Sequence, residues 1–236
     1  MERQDLVNEL NKFYEQNGIL PDDKFNCIKK DICGSKNIKL AQGMQCHIGS
    51  QFKERNGINV LVVSLDCGSG GKESIKERTE TIEGLINKDN INAQMRGTIA
   101  CLSDFFQEKG SKEFLRYYAM TNSCKCTRDD SSDQLPEFFY HQCAVYKIRE
   151  IEIISPDIVY FQGKNALIGC EFENISNGEC SGIFEYIKYL KIGNRKIYAV
   201  QCIHPSARGR NAERKKIFYD ELLPEINEYL RNALKN

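Results

Sequence analysis

Two periodicities divide the chain. Leu6, Leu10 and Phe13 recur at helical spacing and predict a helix over residues 1–17. "NVLVVSLD", residues 59–66, is instead a continuous apolar run that ends in a polar pair, the pattern of a strand buried on both faces. "YYAMT", "PDIVYFQG" and "KIYAVQCIH" repeat that pattern and predict three more strands. Helical stretches fall between and after them, near 74–87, 97–108, 135–155 and 208–233, with Pro136 near the start of the third. Strands alternating with helices predict an α/β fold, a three-layer α/β/α sandwich around a mainly parallel four-stranded sheet. No internal repeat or low-complexity tract breaks the chain, so 1–236 is expected to form one domain. Its segment 1–58, the first helix and an irregular stretch with three cysteines, is expected to pack onto the rest.

In such sheets ligands bind beyond the carboxyl ends of the strands. The four predicted strands end at Asp66, Asn122, Gly163 and His204. A carboxylate, an amide and an imidazole are thus expected along one edge. Each also has a plainer use. Asp66 suits a turn cap, Asn122 an Asx turn, and His204 a structural hydrogen bond.

Charge narrows little. Lys+Arg and Asp+Glu both number 33, so net charge favours no partner. The basic run Arg208, Arg210, Arg214, Lys215 and Lys216 is the local exception. No stretch approaches the roughly 18 apolar residues of a membrane span, and the charged amphipathic N-terminus is unlike a signal peptide. The expected location is the cytoplasm, with no membrane partner. In a reducing compartment eleven cysteines are a poor disulfide framework. They are buried thiols, metal ligands or catalytic groups. Cys101, Cys170, Cys180 and Cys202 sit among apolar or loop residues and suit simple filling. A bound metal would explain how the long irregular stretch 18–58 is ordered.

Three motifs carry a family resemblance from about Cys46 to the last helix. They are "VVSLDCGSG" (62–70), "TNSCKC" (121–126) followed by "SPDIVYFQGKNA" (155–166), and "HPSARGRN" (204–211). In order, spacing and strand ends they resemble the uracil-DNA glycosylase superfamily, nearest its iron–sulfur-containing bacterial and archaeal branch. The resemblance implies hydrolysis of the N-glycosidic bond of uracil, or a related deaminated base, in DNA. Asp66 would direct the water and His204 would stabilise the leaving base. Asn122 would read the base, and Gly68, Met95 and Ser206 would complete the substrate contacts. Ser206 also suits capping of the last helix. Met95 stands where the family usually has an aromatic, with Phe105 and Phe106 as alternatives, and Cys67 stands where proline is usual. Arg208, Arg210 and Arg214 would contact the DNA backbone. The protein is expected to act as a monomer. The competing expectation is a non-cleaving module that recognises modified bases on the same scaffold.

The resemblance also implies a 4Fe–4S cluster, with zinc as the alternative. Cys126 and Cys143, with 16 residues between them, match two family ligands closely. The usual Cys-x2-Cys pair is missing. Cys33 and Cys46 are expected to complete the set, with Cys27 in reserve. The cluster is expected to be structural, pinning the 18–58 segment to the core. Cys124 is expected to be a small filler.

Overall fold

The structure is a computed structural model that describes residues 2–21, 24–34, 40–42, 44–54, 57–65, 73–128, 135–175 and 182–235. In chain order its elements are α1 (Arg3–Asn17), α2 (Lys30–Gly34), β1 (Leu40–Gln42), β2 (His47–Ile48), β3 (Val60–Ser64), α3 (Ile75–Glu83), α4 (Ala93–Phe105), β4 (Tyr118–Asn122), β5 (Cys126–Arg128), α5 (Glu137–Ile154), β6 (Ile158–Gln162), β7 (Phe172–Asn174), β8 (Ile187–Ile192), β9 (Arg195–Cys202), α6 (Asn211–Ile217) and α7 (Leu223–Ala233).

The four apolar runs become the centre of one sheet, parallel and ordered β4-β3-β6-β9. The sheet is not four-stranded, however. It has seven strands and is mixed, with β2 antiparallel to β4 at one edge and β8 then β7 antiparallel beyond β9 at the other. The additions escape an apolar-run search for physical reasons. β2 is two residues long, and β7 and β8 are only partly buried. β8 and β9 turn through Gly193-Asn194, a dipeptide that suits a tight hairpin.

Alternate residues of the central strands face opposite layers. Leu61, Val63, Ala119, Val159 and Phe161 join the apolar side chains of α1 and α5. Val60, Val62, Tyr118, Met120, Ile158 and Tyr160 join those of α4 and α7. Local chemistry sets the helix ends. Ser74 and Glu77 form a capping box on α3. The Asn92 side chain accepts the Met95 N–H, so α4 starts four residues before its expected position. The last helix starts at Asn211 rather than 208, and a π-turn over Phe218–Leu222 separates α6 from α7. Pro224 near the start of α7 has no N–H for an α-helical bond, which accounts for the altered register. Among the described residues no helix is long and apolar enough to cross a membrane.

A buried ion pair sits inside the α1–α5 layer. Lys125 and Glu150 are 1% and 0% exposed, and their charged atoms are 2.5 Å apart. Tyr14 Oη donates to Glu150 Oε1, and Thr121 Oγ1 donates to Oε2 at 2.6 Å. Lys125 Nζ also donates to Thr121 Oγ1. Thus α1, β4, the turn after β4, and α5 meet on one carboxylate. Glu150→Gln leaves the ammonium buried without its counter-charge. It is expected to cost about 3–5 kcal/mol in urea unfolding. A loss below about 1 kcal/mol would show that the pair does not hold these elements together.

Candidate functional site

The ends of the parallel strands are level. Ser64 is in register with Asn122, and Gln162 with Cys202. Strand order reverses between β3 and β6, where open α/β sheets place their ligands. A buried polar chain lies there. Ser64 Oγ donates to Gln162 Oε1 at 2.8 Å, and Gln162 Nε2 donates to Thr98 Oγ1 of α4 at 2.9 Å.

His204 lies two residues past β9, half-buried on this edge. Its Nδ1 accepts the Ser206 N–H at 3.2 Å, so in the neutral ring the proton is on Nε2. The imidazole packs over Gly163. A Cβ built on that glycine would lie 3.2 Å from His204 Cβ and Cδ2, and its φ of +101° is a second reason for glycine. Ser206 is exposed and does not cap the last helix, whose N-cap residue is Arg210, with no side-chain hydrogen bond.

Asn122 closes the opposite end of the row, 1% exposed. Its Oδ1 accepts from Arg78 Nη2 of α3 at 2.7 Å. Arg78 is 3% exposed, and its Nη1 donates to the Gln45 backbone carbonyl. Its Nε has no hydrogen-bond partner among the described residues. Beside it, burial and the Arg78 charge push the His47 imidazole down to about 3, so that ring is neutral.

Met95 is a buried member of the α4–α7 core and packs with that layer. Phe105 and Phe106 belong to the same core, and Phe106 stacks on Phe114. Asp66, Cys67 and Gly68 lie outside the described residues, as does Cys180. Arg208, Arg210 and Arg214 are exposed. Of these, Arg208 lines a groove of about 530 Å³ between α4 and α6. Arg96, Lys215 and Lys216 add positive charge there, and Pro205 forms part of its wall. Pro205 also seats the His204 loop on α4, against Gly97, where an added Cβ would come within 2.3 Å.

The thiols gather on the other side of β4. Cys27, Cys33, Cys126 and Cys143 line one small cavity with Phe25, Leu40, Lys125 and Tyr146. Cys46 is not among them. It is fully buried, its N–H donates to Tyr14 Oη, and burial pushes its thiol up to about 12. Cys27, expected only in reserve, takes the position expected of Cys46. Spacing along an irregular segment could not distinguish them. What does so is Lys29, whose Nζ donates to the Gln142 carbonyl of α5 at 2.8 Å and lies over Tyr146, drawing Cys27 to that helix.

Burial, with nearby Cys143 and Cys27, pushes the Cys33 thiol up to about 11. Hydrogen bonds from Cys124, Cys126 and the Lys125 N–H hold the Cys143 thiol well below its ordinary value. Cys124, expected as a small filler, is fully buried in the apolar core of this layer. Among the described residues no three metal-binding side chains stand at the spacing of a single ion. The all-sulfur donor set nevertheless fits the thiolate ligands of an iron–sulfur cluster.

The sequence reading missed Arg78, Gln162, Thr98, Lys125, Lys147 and Glu150. Lys147 is buried and donates to the carbonyls of Ala166 and Ile168, tying α5 to the loop after β6. The available signal was a charged residue at a core position of a helical pattern, as with Glu150 beside Ile151 and Ile154.

No protein-family model matches the chain, and no curated protein is significantly similar to it.

The thiol geometry has a direct test. If the cavity holds an iron–sulfur cluster, anaerobically purified protein will absorb broadly near ~400 nm, and a colourless, iron-free protein would rule the cluster out. Cys27→Ser and Cys126→Ser are expected to lose most of that absorbance and the bound iron, while Cys46→Ser keeps both. The reverse pattern for Cys27 and Cys46 would assign the ligands the other way.

Proposed function

We propose that this protein is a monofunctional DNA glycosylase that hydrolyses the N-glycosidic bond of uracil, or a related deaminated base, in DNA. The observation that carries the reading is His204. It stands on the ligand-binding edge of the sheet, with Nδ1 occupied by the Ser206 N–H and the proton on Nε2. An N–H donor fixed before the reaction can stabilise an oxygen of the base as the bond breaks and negative charge develops. Asn122 on the same edge supplies an amide of fixed orientation to read the base. Asp66, which follows Leu65 in the sequence and lies outside the described residues, is assigned the water that attacks the sugar carbon.

A glycosylase must take its target out of the stack and hold the strand on either side. The groove cations Arg96, Arg208, Lys215 and Lys216 suit the phosphates of that strand. Asp220 also lines the groove and keeps it from being uniformly basic. Cys27, Cys33, Cys126 and Cys143 would hold a 4Fe–4S cluster. When bound, its role would be to cross-link α2 and the segment before it, the start of β5, and α5, with no part in the hydrolysis. The protein would act as a cytoplasmic monomer.

Incubation with a uracil-containing duplex, followed by alkali, tests the activity. Strand breakage is expected at uracil. It should fall at least about 100-fold in Asp66→Asn and in His204→Ala, the size of a lost general base or oxyanion donor. Binding to uracil DNA with no breakage above the Asp66→Asn level would favour the non-cleaving module instead.

Binding to DNA should also weaken as salt rises. Arg96→Ala and Arg208→Ala are each expected to reduce the slope of log affinity against log salt by about 0.9, one phosphate contact apiece. Unchanged slopes would remove the groove from the DNA path.

A further inference from the structure

Arg78 is the most unusual buried side chain near the site. It is 3% exposed, and no carboxylate pairs with it among the described residues. A buried cation needs either a counter-charge or well-placed neutral acceptors, and among the described residues Arg78 has the latter. Its two terminal nitrogens go to the Gln45 carbonyl and to Asn122 Oδ1. Gln45 is itself fixed. Its side chain donates to the Ile19 carbonyl at 2.9 Å and accepts the Ile75 N–H at 3.1 Å, and its own N–H donates to the Glu73 carbonyl. The guanidinium is therefore held from α3 and from the segment before β2, and it meets Asn122 at the end of β4.

A guanidinium carries only donors. It can meet Asn122 through the oxygen alone. Rotating the amide by half a turn would set two donors face to face in a buried position, where an unmade hydrogen bond is expensive. The Asn122 amide thus has one orientation, chosen by a residue outside the edge row. An amide that can turn over would accept either a carbonyl or an amino group on a base.

We propose that Arg78 is a positioning residue that locks the Asn122 amide, so that the site selects bases with a carbonyl where cytosine has an amino group. This rests on the glycosylase reading and deepens it by naming the residue that fixes the choice of 4-keto over 4-amino pyrimidines. Asn122 makes the contact with the base, and Arg78 acts only through it.

The test uses the full-length protein and binding in place of cleavage. The probes are two duplexes, one with 2′-fluoroarabino-uridine and one with the matching cytidine. Their fluorine suppresses hydrolysis by destabilising the cationic sugar. The wild type is expected to favour the uracil probe by at least about 100-fold, as a site built around a hydrogen bond should. Arg78→Gln can pair with the amide either way round, and Arg78→Met cannot pair at all. Both are expected to lose about ten-fold or more of that preference. Arg78→Lys keeps one donor group to share between Gln45 and Asn122, and should lose about three-fold.

Circular dichroism melting identifies which variants fold, and Arg78→Lys carries the test if the other two do not. An unchanged ratio in every folded variant would overturn the proposal, even where both affinities fall together, because a purely structural role weakens both probes alike. A wild type that excises uracil but binds the two probes equally would overturn it while leaving the glycosylase reading intact. A wild type that neither excises uracil nor prefers its probe would defeat that reading, and the proposal with it.

Discussion

The Glu150 carboxylate is the point on which the α1–α5 layer depends. It is fully buried and takes hydrogen bonds from Tyr14, Thr121 and Lys125. Two segments distant in sequence, α1 and β4 with the turn after it, are thereby held by one side chain of α5. The arrangement has a strict condition. A buried ion pair is tolerated only when each partner is matched and the remaining lone pairs are satisfied. Lys125 lies beside Cys126, so the same pairing that neutralises Glu150 also fixes the turn delivering a thiol to the cysteine cavity. Lys147, one helical turn earlier, does the equivalent work for the loop after β6.

From this layer the chain reaches a different arrangement at the carboxyl edge. There the polar groups are ordered by hydrogen bonds and packing rather than by ion pairs among the described residues. Each is fixed by a partner on another part of the fold. Gln162 is held between Ser64 and Thr98, His204 is held through Nδ1 and by its packing on Gly163, and Asn122 is held by Arg78. Each supporting group comes from a helix, a neighbouring strand or the adjoining loop. The edge is therefore held in one arrangement, which under the proposed function would favour selectivity over adaptability.

The legible part of the molecule was the part with period or run. The central strands and the main helices follow from apolar spacing, and their ends fell within a few residues of the capping signals at Ser74 and Asn92. The edge strands were illegible because a short, half-exposed strand owes its state to its neighbour's open hydrogen bonds. Asn122 and His204 could be proposed from their place after apolar runs. Arg78 could not, since it stands in the charged helix segment "IKERTETIE", where arginine ordinarily faces water. Nothing local marks it as buried.

The cysteines show the same division. The sequence by itself determined that eleven thiols are present, that Cys126 follows a predicted strand with Cys143 in the next helix, and that Cys126 stands four residues beyond Asn122. Only the tertiary structure decided that Cys27, rather than Cys46, faces the other three. It also decided that Arg78 turns inward to an amide 44 residues away. The physical reason is common to both. Hydrophobic period is a property of neighbouring residues and is written along the chain. The partner of a buried polar atom is chosen across space, by whichever segment can satisfy it once water has left.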